Sequence, residues 1–214
     1  MAAPRMTDPL HKHGRFFDVW SSFYRRTMLG LELRRIQRLA IERLRLVPGQ
    51  RVLDLGCGPG DGTVSITSAG ATGIGLDYSQ GMLGTARSEP MLAGRLCRGD
   101  AGLLPFRDAC FDKVVCTNSF HHYPDHRAAL QEIARILKPG GLLVLVDPRR
   151  DHPFGRLAID LFENAVFGLH EVRIFSVAEW YSMLKGAGFS DARVDVGPAW
   201  QPVAWSEVFV EATR

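Results

Sequence analysis

The stretch VLDLGCGPGDGT, from Val52 to Thr63, constrains this chain more than any other. RVLDL is an apolar run that reads as a buried strand, and the glycines after it let the backbone turn tightly and approach a ligand closely. Strand, glycine turn and helix start make a nucleotide-binding layout, and that layout belongs to parallel α/β sheets. The dinucleotide fingerprint G-x-G-x-x-G, registered on Gly56 and Gly58, requires glycine at the position that Asp61 holds. A carboxylate at the start of a helix repels the pyrophosphate that such a site receives. The expected ligand is therefore a nucleoside without phosphate.

The rest of the chain fits the same layout. LELRRIQRLAIERLRL carries an apolar stripe at helical spacing (Leu31, Leu33, Ile36, Leu39, Ala40, Ile41, Leu44) that VPG stops just before the first strand. After it, a helix is expected from Asp61 to Ala69, then the strand TGIGLD, a helix from Ser79 to Arg87 and the strand GRLCRGD. FDKVVCTNS is a fourth strand, DHRAALQEIARILK a helix, and GGLLVLVDP a fifth strand closed by proline. This βα alternation predicts a Rossmann-like parallel sheet with helices on both faces. Ser176 followed by Glu179 is a capping-box pattern opening another helix. The runs DARVDVG and SEVFVEATR, with no helix between them, predict an antiparallel hairpin at one sheet edge. The 214 residues, 46% of them hydrophobic, suit a single domain spanning the whole chain.

Charge and cysteine usage narrow the partners. A net charge of +3 gives the whole protein no strong pull toward nucleic acid or anionic membrane. Seven arginines between Arg25 and Arg45 form a local exception, readable as a phosphate-contacting helix or as a solvated face. The four cysteines (Cys57, Cys97, Cys110, Cys116) have no C-x-x-C spacing and read as reduced core thiols of a cytoplasmic protein, with no metal site. The N-terminal segment lacks the apolar core of a signal peptide, and no apolar run approaches a membrane span.

Ligands of open parallel sheets lie beyond the carboxyl ends of the strands, so the residues there form one candidate site. After the first strand come Gly56, Gly58 and Gly60. After the second comes Asp77, about twenty residues on, where an acid accepts from ribose hydroxyls. After the third come Asp100, able to accept from an exocyclic amine, and Ala101, whose amide can donate to a ring nitrogen. A lone acid after a strand serves equally as a cap or turn former; acids and glycines on one rim of one sheet point to a ligand.

VLDLGCGPGDGT, GLDYSQGML, GDAGLLPF, FDKVVCTNSFHHYPD and LKPGGLLVLVDP, in this order, resemble the successive motifs of class I S-adenosylmethionine (SAM) dependent methyltransferases. The segment from Phe16 through Gly60 is similar to the corresponding part of the ubiquinone and menaquinone biosynthesis C-methyltransferases. The resemblance implies SAM as cofactor and S-adenosylhomocysteine (SAH) as product, which explains an acid where phosphate would sit. It implies that Asp54 supports the glycine loop, that Gly56, Cys57 and Gly58 meet the methionyl moiety, and that Asp77 takes the ribose. Asp100 and Ala101 read adenine, with Tyr78 and Leu104 either against its faces or in the core, and Met82 and Asn118 complete the cofactor set. After the fourth strand, Asn118, His121, His122 and Tyr123 lie near the expected methyl position. His121 or His122 is the candidate general base, with His170 in reserve, although a structural role for either is equally open. NSFH stands where the amino-methylating DNA enzymes carry an Asn or Asp-Pro-Pro-aromatic tetrad, which argues against a DNA base as substrate.

Two segments are additions to the sheet: residues 1–46, with Phe16, Phe17, Trp20, Phe23 and Tyr24, and the insert 151–176, apolar from Phe154 to Phe167. Both are expected to cover the acceptor pocket; a helix dimer interface would use the same residues. The expected activity is methyl transfer to a small, lipophilic or aromatic acceptor. An RNA or protein methyltransferase, and a SAM- or SAH-binding protein without turnover, are the alternatives.

Overall fold

The computed structural model describes residues 18, 28–153, 157, 172–197 and 206–214. Among these, seven strands form one sheet in the order β3-β2-β1-β4-β5-β7-β6. The strands are β1 (Arg51–Leu55), β2 (Thr72–Asp77), β3 (Leu96–Arg98), β4 (Phe111–Thr117), β5 (Leu137–Pro148), β6 (Ser190–Val196) and β7 (Glu207–Thr213). The helices are α1 (Met28–Arg43), α2 (Asp61–Ser68), α3 (Gln80–Ala86), α4 (His126–Ile136) and α5 (Val177–Gly186). β1 to β5 run parallel, and β7 pairs antiparallel with both β5 and β6. The expected parallel sheet and antiparallel terminal hairpin are both present. The hairpin folds back so that the last strand is the inner one, and burial explains this: β7 is buried at four consecutive residues, whereas β6 carries exposed and half-exposed positions throughout.

The core has two layers. On one face Ile36 and Ala40 of α1, with Leu44 just after it, meet Ile66 of α2 and the sheet residues Val52, Val115, Val144, Val146 and Phe209. On the other, Leu130 and Ile133 of α4 and Trp180 and Leu184 of α5 cover Leu53, Leu55, Val114, Leu143 and Leu145. Odd and even residues of β5 thus divide between the two layers, as the two-residue period of a strand requires.

Local signals place the ends of these elements. Ser79 and Asp125 cap α3 and α4 through their side-chain oxygens, and Ser176 with Glu179 forms the expected capping box of α5. The fourth helix stops at Ile136, two residues before the expected end, and β5 already begins at Leu137. The Lys138–Gly141 turn is absorbed as an irregularity in the β4–β5 ladder, with Gly140 at φ 75°. The arginines in and just after α1 are partly neutralised: Arg43 bonds to Asp195 and Glu211, Arg45 to Glu211, and Arg35 to Glu32. No helix among the described residues is long and apolar enough to cross a membrane. Cys57, Cys110 and Cys116 are buried free thiols and Cys97 is half-buried.

Candidate functional site

Strand order reverses between β1, which continues to β2 and β3, and β4, which continues to β5. A crevice opens at such a reversal, beyond the carboxyl ends of the strands. Its floor is the glycine turn. Gly56, Gly58 and Gly60 have φ of 71°, 51° and 87°, values that side chains disfavour. A Cβ on Gly56 would also lie 2.0 Å from Ser119 Oγ, so glycine there lets the loop after β4 close against the turn. The N–H groups of Gly56 and Cys57 donate to the Leu76 carbonyl, that of Gly60 to the Cys57 carbonyl, and that of Gly58 to Asp77 Oδ2 at 2.8 Å. All four donors are spent, so this part of the turn offers a phosphate little.

The turn is instead surrounded by acid. Asp54 is 1% exposed; Thr63 donates its hydroxyl to Oδ2 at 2.7 Å, while the buried Oδ1 has no hydrogen-bond partner among the described residues. Burial, reinforced by the nearby Asp77 and Asp61 carboxylates and opposed by the Thr63 bond, pushes Asp54 up to about 7. Asp77 is also raised by burial, against the N–H groups of Ser79 and Gly58 that hold its two oxygens. A cation beside these groups would restore their ionised forms, and SAM carries its charge as a sulfonium and an ammonium. The residues thus fit that cofactor: a glycine cradle that a Cβ would fill and an orphaned carboxylate oxygen.

The other expected cofactor residues fall on the same rim, each with a local partner. Met82 is buried beneath Gly58, its Sδ 4.0 Å from where a Cβ there would lie. Tyr78 has Arg98 over its ring at 5.6 Å. Asp100 is half-exposed and accepts the Gly102 N–H at 2.8 Å, the bond of a turn former, while Ala101 and Leu104 are buried. Asn118 sits at φ 49°, with a buried Nδ2 that has no hydrogen-bond partner among the described residues. Asp18 accepts from the Ser79 hydroxyl and the Gly81 N–H at the start of α3, beside Asp77.

The opposite wall follows β4 and β5. Phe120–His122 form a single 3-10 turn. His121 is 2% exposed, and its Nδ1 lies 2.8 Å from Oδ1 of Asp147, a residue of β5 that is 0% exposed. The His122 ring is half-buried, 4.0 Å from that of His121. Tyr123 shares a 2.7 Å hydrogen bond with Ser119 beneath Gly56, and burial raises its hydroxyl above the usual tyrosine range, so it is no base. Burial lowers His126 to about 4, with help from Arg173, and keeps it neutral. No group of three or more His, Cys, Asp or Glu able to hold a metal occurs among the described residues. His170, the aromatic residues Phe16, Phe17, Trp20, Phe23 and Tyr24, and residues 154–156 and 158–171 of the insert lie outside the described residues.

Asp147, Thr63 and Asp18 were not expected from the sequence. Asp147 carried a usable signal, since it is an acid ending the apolar run LLVLVDP, in the position that drew attention to Asp77.

Comparisons with known proteins agree with this fold. Residues 53–145 match the family described as a methyltransferase domain. A demethylmenaquinone methyltransferase of Corynebacterium efficiens is 38% identical over 144 residues, which cover 65% of this chain and 60% of that protein. The chain thus spans about three fifths of the length of such curated relatives. Among solved structures, a SAM-dependent methyltransferase from Thermotoga maritima superposes with a TM-score of 0.72 at 23% identity, covering 95% of this chain and 98% of that one. A phosphoethanolamine N-methyltransferase of Haemonchus contortus, solved with phosphomonomethylethanolamine and SAH, gives 0.76 at 17% identity, covering 99% of this chain and 61% of that one. The fold is that of the SAM-dependent methyltransferases.

Proposed function

We propose that this chain, with its methyltransferase-domain match over residues 53–145, transfers a methyl group from SAM to a small lipophilic or aromatic acceptor of quinone type. The observation that carries the reading is the acid-lined glycine cradle, in which the turn donors are spent and Asp54 Oδ1 is orphaned. SAM, when bound, supplies an electrophilic methyl group on a positively charged sulfur. Asp54 and the turn Gly56–Gly58 take the methionyl end, Asp77 the ribose, and Asp100 and Ala101 the adenine. Tyr78, Met82 and Asn118 complete the contacts, and the spent oxygens of Asp77 retain lone pairs for hydroxyl donors.

On the acceptor side, His121 removes the proton. The names of the curated relatives point to a quinone acceptor, and chemistry selects its redox form. A quinone ring is electron-poor; its two-electron reduced hydroquinone has a nucleophilic ring carbon and a hydroxyl whose proton a base must take. Asp18, ahead of α1, reaches the cofactor side through Ser79 and Gly81. The ion pairs of Arg35 and Arg43 in α1, and of Arg45 just after it, offset part of the basic charge that would attract a nucleic acid, and the protein acts in the cytoplasm. The deciding experiment is incubation with methyl-labelled SAM and the hydroquinone form of demethylmenaquinone, followed by product analysis, with a whole metabolite extract run in parallel. Label in a quinone-type product supports the reading. Label only in RNA or protein, or no label despite SAH binding, replaces it with one of the alternatives.

A further inference from the structure

We propose that Asp147 is a positioning residue for proton removal: it fixes His121 so that Nδ1 keeps its hydrogen and Nε2 is the nitrogen that accepts a proton from the acceptor. The inference rests on the reading of His121 as the base. Asp147 comes from β5 and His121 from the turn after its neighbour β4, the strand that borders the reversal point. An ionised carboxylate only accepts hydrogen bonds, so the 2.8 Å contact assigns the hydrogen to Nδ1. The backbone around the ring is held as well, since the His121 carbonyl accepts the Arg173 N–H and the Ser119 carbonyl accepts the His122 N–H. Burying a carboxylate fully is costly unless its bonds return the cost, and an orienting bond to a working imidazole is one such use.

Several groups among the described residues face the pair. The His122 ring lies 4.0 Å from that of His121; His126 of α4 is neutral, and Arg173 stands ahead of α5 over the Phe175 ring. Cys116 of β4 lies beside Asp147, and its thiol is pushed up to about 12, mainly by burial and further by that carboxylate. Asp147 therefore supplies the negative charge that stabilises an imidazolium against Arg173. In the step, the hydroxyl proton of the hydroquinone passes to Nε2, the pair it leaves on oxygen becomes a C=O bond, and the ring π pair forms the bond to the methyl carbon. The hydrogen on that ring carbon then moves to the oxygen by way of water, restoring the hydroquinone. The electrons of the broken carbon–sulfur bond stay on sulfur, giving neutral SAH, and the imidazolium returns its proton to water.

The test is nitrogen NMR of histidine-labelled protein across the pH range, with SAH present and absent. In the wild type, unprotonated Nε2 with protonated Nδ1 at His121 is expected; the opposite tautomer overturns the proposal, whether or not any variant folds. In Asp147→Asn the His121 titration midpoint is expected to fall by about one pH unit or more, with SAH affinity by calorimetry unchanged. An unchanged midpoint overturns it. In transfer to demethylmenaquinol, the variant lowers kcat roughly 10²-fold with KM for SAM unaltered, and the acidic limb of the pH profile moves down with the NMR midpoint. A limb that stays in place marks a merely structural residue. Failure of the wild type to bind SAH would strike the proposed function instead, while the spectrum of the ligand-free protein still decides the pair.

Discussion

The two walls of the crevice are built in different ways. On the cofactor side, the β1 turn and the end of β2 are joined through backbone N–H groups: Gly56 and Cys57 donate to the Leu76 carbonyl, and Gly58 and Ser79 to the Asp77 carboxylate. On the proposed acceptor side, the bonds that set the orientation of the functional side chains run from side chain to side chain: His121 to Asp147, and Ser119 to Tyr123. A backbone-built site tolerates few changes and suits a ligand that never varies. A wall made of side chains can be altered one residue at a time, which suits an acceptor that differs between related enzymes. The division predicts that substitutions on the first wall change cofactor affinity and those on the second change turnover.

The largest effect is expected at Gly56. Alanine there meets Ser119 Oγ and adopts a positive φ, which together cost on the order of 3 kcal/mol or more. SAH affinity measured by calorimetry should fall by two orders of magnitude or more, or the protein should not fold; wild-type affinity would break the distinction at its strongest point. His121→Ala comes next, with turnover reduced roughly 10²- to 10⁴-fold and SAM affinity near wild type. Full turnover across the pH range would end base catalysis by His121. Asp77→Ala should weaken SAH binding by roughly 1 to 3 kcal/mol, since it strands the Gly58 and Ser79 N–H groups besides losing the ribose contact. Unchanged affinity in a folded variant would make Asp77 a turn residue only.

A further effect is pH-dependent and sharpens the electrostatic side of the contrast. Asp54 rises from an ordinary 3.8 to about 7 in the folded protein, so between those values the native state holds its proton more tightly than the unfolded chain does. Its contribution to stability is complete below the unfolded value and is lost as pH climbs through the folded one. The melting temperature of ligand-free protein should therefore decline toward pH 7 and flatten above it, and Asp54→Asn should abolish the decline. SAM, being cationic, favours ionised Asp54, so its affinity should increase as pH rises through 7.

How legible each wall was in the sequence follows from the same difference. The glycine turn, Asp77 and the capping box of Ser176 and Glu179 are local patterns, because each is made by residues close in the chain. The inner place of β7 depended on comparing its burial with that of β6, and both runs read alike as alternating strands. His121 was a candidate by its position after a strand, but its partner lies twenty-six residues away on another strand. No spacing rule joins them, since the pairing exists only once β4 and β5 are adjacent. Asp100 shows the opposite case: its carboxylate binds its own turn, the role that acids after strands commonly have.

The separation of the two walls can be measured without knowing the acceptor, by titrating SAH into the wild type, Asp77→Ala and Asp147→Asn side by side in one calorimeter at neutral pH. The account predicts clear binding to the wild type, affinity lower by roughly 10- to 100-fold for Asp77→Ala, and wild-type affinity for Asp147→Asn. Equal losses in both variants, or no binding to the wild type, would contradict it.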